Sequence, residues 1–173
     1  MHPLASHGIS VNMADIKSGT NLLFLREDQL YEGMELLFFA YRDFTAECDA
    51  ILNNYGFGRA HHRVIYFIAR NPNISVAELL NILKITKQSL SRVLGQLIED
   101  GYIKNQKCNT DKRRRLLRLT QKGDDLDKRL AGVHRKLLSE AYRKAGPDCV
   151  DGYRKVLLGI IDEVDRERFT NNK

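Results

Sequence analysis

Basic side chains are concentrated in one part of this 173-residue chain, and the chemistry that such a cluster offers is the binding of a polyanion. Residues 84–118 contain ten lysines and arginines but only three acidic residues, a net charge of +7. The whole chain carries +6, so the residues outside this segment sum to −1. A surface that serves only solubility mixes the two signs, whereas this clustering favours nucleic acid as the partner.

Within the basic segment, polar and apolar residues alternate with the period of an amphipathic helix. Leu90, Val93, Leu94, Leu97 and Ile98 have the spacing of one buried face, after a possible cap at Thr86. The predicted DNA contacts at the start of this helix are Thr86, Lys87, Gln88, Ser89, Ser91 and Arg92. An arginine can bind guanine through two hydrogen bonds and a glutamine can pair with adenine, although both side chains can equally bind phosphate.

The helix before this one begins with a capping box. Ser75 and Glu78 have the required spacing, and Leu79, Leu80 and Leu83 follow on one face. Only Lys84 and Ile85 separate this helix from the cap of the next one, a connection typical of a helix-turn-helix. Ser75 is included among the predicted DNA contacts.

A β-hairpin with a cationic tip is predicted after Gly101. Residues 102–108 have the pattern of one strand, residues 109–111 that of a turn, and residues 115–120 that of the returning strand. The side chains predicted to contact DNA from this wing are Lys112, Arg113, Arg114 and Arg115. Strand alternation places Arg113 and Arg115 on one side and Arg114 on the other, so they cannot all face the same groove.

Long amphipathic helices are predicted on both sides of this core. Leu30, Met34, Leu37, Tyr41, Phe44, Cys48, Ile51 and Tyr55 form a heptad seam that requires a partner helix. A second helix spans about residues 59–70, with His61, Val64, Ile65 and Ile68 on its apolar face. Two more follow Gly123. One buries Leu126, Leu130, Val133 and Leu137, and the other starts at Pro147 and carries Val150, Tyr153, Leu157, Ile160 and Val164.

This order of elements predicts a mainly α fold with a small β-hairpin wing, a winged helix-turn-helix core flanked by long dimerisation helices. The predicted domains are an N-terminal arm over residues 1–24, a dimerisation helix over 25–58, the DNA-binding core over 59–123 and C-terminal dimerisation helices over 124–173. Double-stranded DNA and a second copy of the chain are the predicted partners.

Several other classes of protein are disfavoured by the sequence. No apolar run approaches the roughly 18 residues of a membrane span, and no motif of an enzyme or of a cofactor-binding loop is present, so we expect a cytoplasmic protein without cofactor. The three cysteines lack the spacing of a disulfide framework. A metal site is not predicted, because His61, His62 and His134 would need a thiol or carboxylate from elsewhere in the chain.

Two segments resemble the MarR family of bacterial winged-helix transcription regulators. DKRRRLLRLTQKG, residues 111–123, is similar to the family's wing signature of an Asp, any residue, an Arg and an apolar strand that ends in Leu-Thr, with a Gly soon after. ITKQSLSRVLGQLIEDGYI, residues 85–103, resembles the recognition helix that leads into the wing. In element order the resemblance covers about residues 30–164.

The resemblance implies further properties of the protein. A member of this family would be a homodimeric regulator, commonly a repressor and in some cases an activator, which binds pseudo-palindromic promoter DNA. Asp111 would orient Arg113 through a charge-assisted hydrogen bond. A small aromatic or phenolic effector would bind between the dimerisation helices and the core, where this sequence offers Phe38, Tyr41, Phe44, His62 and Tyr66.

Two alternatives stay open at the level of sequence. The first is a regulator of the same fold that responds to thiol oxidation, with Cys108 as the candidate because it lies next to Lys107 and near the wing cations. The second is a winged-helix module that binds another protein. The polar face of Gln88, Ser91 and Arg92 disfavours the second, since a protein-binding helix more often exposes apolar anchors.

Overall fold

Seven α-helices and three short strands make up the part of the chain that the structure describes, residues 25–107 and 115–170 of the computed structural model. The helices are α1 (Glu27–Asn53), α2 (Arg59–Arg70), α3 (Val76–Leu83), α4 (Lys87–Glu99), α5 (Gln121–Ala145), α6 (Pro147–Ile160) and α7 (Glu163–Thr170), and the strands are β1 (Ile74–Ser75), β2 (Ile103–Lys107) and β3 (Arg115–Leu119). The chain divides into two compact units, Met1–Tyr41 and Arg42–Lys173, and α1 begins in the first and ends in the second.

The two halves of α1 differ in how they bury apolar residues. In the first unit, Leu30, Met34 and Leu37 are 51%, 52% and 49% exposed, and Tyr31 is exposed on another side of the helix. In the second unit, the fully buried Cys48 is part of the hydrophobic core. The predicted seam therefore splits: its second half packs within the chain, and only its first half presents an apolar stripe to solvent.

The core of the second unit is formed by the helices and strands that the sequence predicted. Its buried members include Val64, Ile65 and Ile68 of α2, Leu79 and Leu83 of α3, Leu90, Val93, Leu94 and Leu97 of α4, and Leu126 and Leu130 of α5. Not every predicted core position is fully buried. Leu80 is half-buried, Ile98 is 36% exposed, and Leu137 is also exposed. Leu80 still packs against the core, whereas Leu137 lies in the second half of α5, beyond its buried residues Leu126 and Leu130.

A three-stranded antiparallel sheet replaces the simple hairpin that was predicted. β3 lies in the middle, between β1 and β2. β1 pairs Ile74 with Leu117 and Ser75 with Leu116, while β2 pairs Ile103 with Leu119 and continues to Lys107 opposite Arg115. The short strand before α3 therefore fastens the helix-turn-helix to the hairpin.

The start of α5 is fixed by a tight junction. Thr120 caps this helix, because its Oγ1 accepts a hydrogen bond of 3.1 Å from the backbone N–H of Gly123. Gly123 thus lies in the first turn of α5, and the prediction that the helix begins after it is wrong. A Cβ on this residue would lie 2.2 Å from the carbonyl oxygen of Tyr102, so only glycine fits.

The last predicted helix is broken in two. Ile161 has extended backbone angles of φ −68° and ψ 137°, which end α6. The side chain of Asp162 then accepts a hydrogen bond of 3.3 Å from the N–H of Val164 at the start of α7. Val164 therefore belongs to a different helix from Ile160, and the single apolar stripe predicted from Val150 to Val164 is interrupted. In the ranges described, no helix is long and apolar enough to cross a membrane.

Replacing Gly123 by alanine should destabilise the protein by about 1–3 kcal/mol, because a Cβ at 2.2 Å from the Tyr102 carbonyl forces the backbone to shift. Urea unfolding gives the free energy. Gly132→Ala in the same helix is the control, since its Cβ would meet no atom within 4 Å and alanine raises helix propensity. Equal stabilities of the two variants would contradict the role of Gly123.

Candidate nucleic-acid interface

The turn between α3 and α4 is held by caps on both sides. Lys84 ends α3 in the left-handed region, with φ 49° and ψ 43°, and its N–H donates to the carbonyl oxygen of Leu80. Thr86 begins α4 by accepting a hydrogen bond of 3.2 Å from the N–H of Ser89. Because both helix ends are satisfied locally, the direction of α4 relative to α3 is well defined.

The exposed face of α4 carries the side chains that the sequence predicted for DNA contact. Lys87, Gln88, Ser91 and Arg92 are all exposed, on the side opposite the buried Leu90. Among the described residues, neither Lys87 nor Arg92 takes part in a salt bridge. Their charges are therefore available to an external anion.

Thr86 and Ser89 are exposed as well, but they also bond to each other. The hydroxyl of Thr86 donates to Oγ of Ser89 at 2.9 Å while it caps the helix. A hydroxyl of either residue that contacted DNA would still take part in this cap.

Ser75 does not fit its predicted role as a DNA contact. Its side chain forms the capping box of α3, in which Oγ accepts from the N–H of Glu78 at 3.2 Å and donates to the Glu78 carboxylate. The residue is only 6% exposed. We therefore correct this prediction, because the hydroxyl is buried and already bonded in both directions.

The hairpin, which follows α4 in the chain, presents further cations. Arg115 is exposed at the start of β3, and Arg118 on the same strand is exposed opposite Lys104 of β2. Lys104 and Arg118 contribute to the charge of the basic segment, but the sequence did not predict either of them as a DNA contact. Cys108, Asp111, Lys112, Arg113 and Arg114 lie outside the described residues, so their predicted roles stay predictions.

One member of the basic segment is already neutralised within the fold. Nζ of Lys84 lies 3.1 Å from a carboxylate oxygen of Asp162 and 2.9 Å from one of Asp165. The hydrogen bonds to Asp165 and Asp162 raise the pKa of Lys84 above its ordinary value. Lys84 thus connects the turn of the helix-turn-helix to the start of α7, and contributes less than its full charge to an external partner.

A histidine fixes the position of α4 against α2. Nδ1 of His61 accepts a hydrogen bond of 3.0 Å from the N–H of Gly58, so Nε2 carries the proton. Nε2 can then donate to Oε1 of Gln96 on α4, 2.9 Å away. His61 is therefore a structural residue that joins the two helices.

The aromatic residues predicted for an effector pocket are divided between the two units. Phe38 and Tyr41, in the first unit, are 70% and 53% exposed. In the second unit, Phe44 stacks on His134 with ring centroids 3.8 Å apart, and the ring of Tyr66 lies 3.6 Å from the guanidinium of Arg70. A cleft in the second unit lies elsewhere, and its lining includes Asn71, Ile74, Asn81 and Arg168 but none of the five predicted residues.

Two of the three cysteines are described, and they differ in environment. Cys48 is buried, and its burial raises the pKa of the thiol to about 11, which suppresses the reactive thiolate. Cys149 is exposed on α6. Cys48, a member of the predicted seam, is thus buried within the chain.

Three comparisons relate this chain to known proteins. The model of the MarR family matches residues 55–114. The HTH-type transcriptional regulator PetP of Rhodobacter capsulatus is 47% identical over 151 residues, which cover 87% of this chain and 91% of PetP.

Solved structures show the same fold at lower identity. Streptococcus pneumoniae FabT in complex with DNA has a TM-score of 0.69 at 17% identity and covers 76% of this chain and 94% of FabT. A cysteine-to-serine mutant of MarR from E. coli, complexed with operator DNA, has a TM-score of 0.62 at 20% identity and covers 81% of this chain and 99% of MarR.

These findings confirm the winged-helix fold class and the prediction of a regulator rather than an enzyme. The resemblance was based on residues 85–103 and 111–123. The family model matches all of the first segment and the beginning of the second. Because it is 47% identical to a transcriptional regulator over 87% of its length and matches the family model, the chain belongs to the MarR family of transcriptional regulators.

Proposed function

We propose that this protein is a homodimer that binds pseudo-palindromic promoter DNA in a sequence-specific manner and represses transcription from it. The observation that carries the proposal is the exposed face of α4, where Lys87, Gln88, Ser91 and Arg92 project from a capped helix of a helix-turn-helix. This is the position from which such folds read the major groove. FabT and the MarR mutant, which share the fold, were both solved with DNA.

The side chains of α4 suit double-stranded DNA in chemistry as well as position. Arg92 offers a planar pair of donors for O6 and N7 of guanine, and Gln88 offers a donor and an acceptor for adenine. Thr86, Ser89 and Ser91 are short enough to bind phosphates or base edges near the start of the helix. In a dimer, two such helices can enter successive major grooves about 34 Å apart.

The hairpin would supply contacts to the backbone beside the major groove. Arg115, Lys104 and Arg118 are exposed on its strands, and the sequence adds Lys112, Arg113 and Arg114 between them. Cations in this arrangement neutralise phosphates and position the protein without reading the sequence. Asp111 is proposed to orient Arg113 rather than to touch DNA.

The homodimer is supported by the first half of α1. Leu30, Met34 and Leu37 form an apolar stripe that is about half exposed, and Leu36 and Phe38 add apolar surface on neighbouring sides. A helix this apolar is normally covered. Exposed apolar residues on α6 and α7, such as Tyr153, Val156 and Val164, support the same conclusion for the C-terminal end.

Repression follows from occupancy, because a dimer bound across a promoter competes with the polymerase; activation would need a site upstream of it. We further propose that a small aromatic compound modulates binding, since Phe38, Tyr41, Phe44, His62 and Tyr66 offer flat apolar surfaces with polar ends. The protein-interaction alternative finds no support on α4, whose exposed face is polar. Control through oxidation of Cys108 stays a prediction from sequence.

Arg92→Ala should weaken operator binding and relax the preference at one base pair, with a loss of roughly 1–3 kcal/mol if the contact is bidentate to guanine. The operator is first selected from genomic fragments with the purified protein, and affinities are then measured by fluorescence anisotropy on the operator and its point variants. Arg135→Ala on α5 is the control. A uniform loss over all base variants would assign Arg92 to phosphate instead.

Arg115→Ala should weaken all DNA sequences alike, because a phosphate contact carries no sequence information. The slope of log affinity against log salt concentration should flatten by about one unit. Lys155→Ala on α6 removes the same charge outside the basic segment and should leave the slope unchanged. An identical slope for Arg115→Ala and wild type would contradict a role for this end of the wing in DNA binding.

Leu37→Glu should dissociate the dimer, since it places a charge in the apolar stripe of α1. Sedimentation equilibrium should give twice the 19.9 kDa chain mass for wild type and the monomer mass for the variant. Glu32→Lys, on the opposite side of the same helix, is the control for a charge change. A wild-type protein that sediments as a monomer would refute the proposed dimer.

A further inference from the structure

Three helices bring a thiol and two imidazoles together inside the second unit. Cys48 on α1, His62 on α2 and His134 on α5 each have a ligand atom within 4.8 Å of the other two. Sγ of Cys48 lies 3.3 Å from Nε2 of His134, and the rings of His62 and His134 are 5.2 Å apart. The thiol that the two histidines lacked in the sequence is supplied by a residue 86 positions from His134.

The distances are close to those of a tetrahedral metal centre. With metal bonds of about 2.3 Å to sulfur and about 2.0 Å to nitrogen, a sulfur and a nitrogen ligand at a tetrahedral angle are about 3.5 Å apart. The separation between Cys48 and His134 is within a few tenths of an ångström of this value. All three ligand atoms lie within 4.8 Å of one another, so the set has to contract by about 1 Å to surround an ion.

The surroundings hold the ligands in place. Cys48 is fully buried and its thiol donates weakly to the carbonyl oxygen of Leu130, 3.6 Å away. The ring of His134 is stacked on Phe44 and bonded to the backbone of that residue.

The charges around the cluster are also compatible with a cation. Asp127 and Asp49 are close enough to His62 to interact electrostatically with its imidazole. Asp127 pairs with Arg70 at 3.1 Å, and Asp49 pairs with Arg59 at 2.7 Å. Two carboxylates therefore lie near the imidazole without occupying the ligand atoms of the cluster.

We propose that Cys48, His62 and His134 form a binding site for a divalent transition-metal ion of the zinc class, with water as the fourth ligand. One thiol, two imidazoles and one exchangeable position are a donor set that suits Zn²⁺ and Co²⁺. On binding, the thiol proton of Cys48 passes to solvent and the sulfur bonds to the metal as thiolate. The site goes beyond DNA binding, and its test needs no DNA.

The experiment uses the full-length protein after removal of metals with a chelator. Titration with Co²⁺ should give one ion per chain, a tetrahedral visible spectrum and a thiolate-to-cobalt charge-transfer band, and Zn²⁺ should displace the cobalt. Cys48→Ala should abolish the charge-transfer band and weaken Zn²⁺ binding by roughly 100-fold or more. Cys149→Ser, which removes an exposed thiol, should change neither.

A second pair of variants guards against loss of the fold. His62→Gln should lower the affinity for Zn²⁺ while leaving the circular dichroism spectrum of the metal-free protein intact. His61→Gln, at the neighbouring residue bonded to Gln96, should keep the wild-type affinity. Absence of a charge-transfer band in wild type, or its persistence in Cys48→Ala, would overturn the proposal, as would equal Zn²⁺ affinities of His62→Gln and wild type.

Discussion

The close approach of Gly123 to the carbonyl oxygen of Tyr102 fixes the relative positions of the recognition helix, the wing and α5. Thr120 strengthens the junction: its N–H donates to Tyr102 O at 3.0 Å, and its hydroxyl donates to Gly101 O at 2.7 Å. The end of α4, the start of β2 and the end of β3 thus meet within a few ångströms. A side chain at Gly123 would separate them, and the cations of the hairpin would lose their place next to α4.

α2 connects several other helices of the same unit. His61 connects it to Gln96 of α4, and the adjacent His62 faces Cys48 and His134 on two other helices. Neighbouring residues of one helix therefore touch the recognition helix on one side and the proposed metal site on the other.

The cations of the basic segment fall into two groups, one paired within the fold and one exposed to solvent. Lys84 is paired with Asp162 and Asp165 and stabilises the connection between the α3–α4 turn and α7. Lys87 and Arg92 on α4, and Arg115 and Arg118 on β3, stay exposed. The electrostatic attraction for a polyanion therefore comes from the helix face and the hairpin, whereas the turn contributes structure.

The sequence by itself determined those features whose causes lie within a few residues. The capping box of Ser75 and Glu78, the cap at Thr86, the buried spacing from Leu90 to Leu97 and the hairpin strands were all predictable, because caps and amphipathic periods act over one or two helical turns. These local signals also carried the resemblance to the family and the polar face of α4. For the cations at residues 112–114, only the sequence provides information.

Only the tertiary structure decided what depends on contacts between distant residues. It buried Ser75 in a strand paired with β3 and paired Lys84 with Asp162 and Asp165. It also divided the α1 seam into a core half and an exposed half, and brought Cys48 to His62 and His134. Each of these outcomes joins elements that are far apart in the chain. Spacing along a sequence cannot specify such contacts, because they depend on the angles at which helices and strands pack.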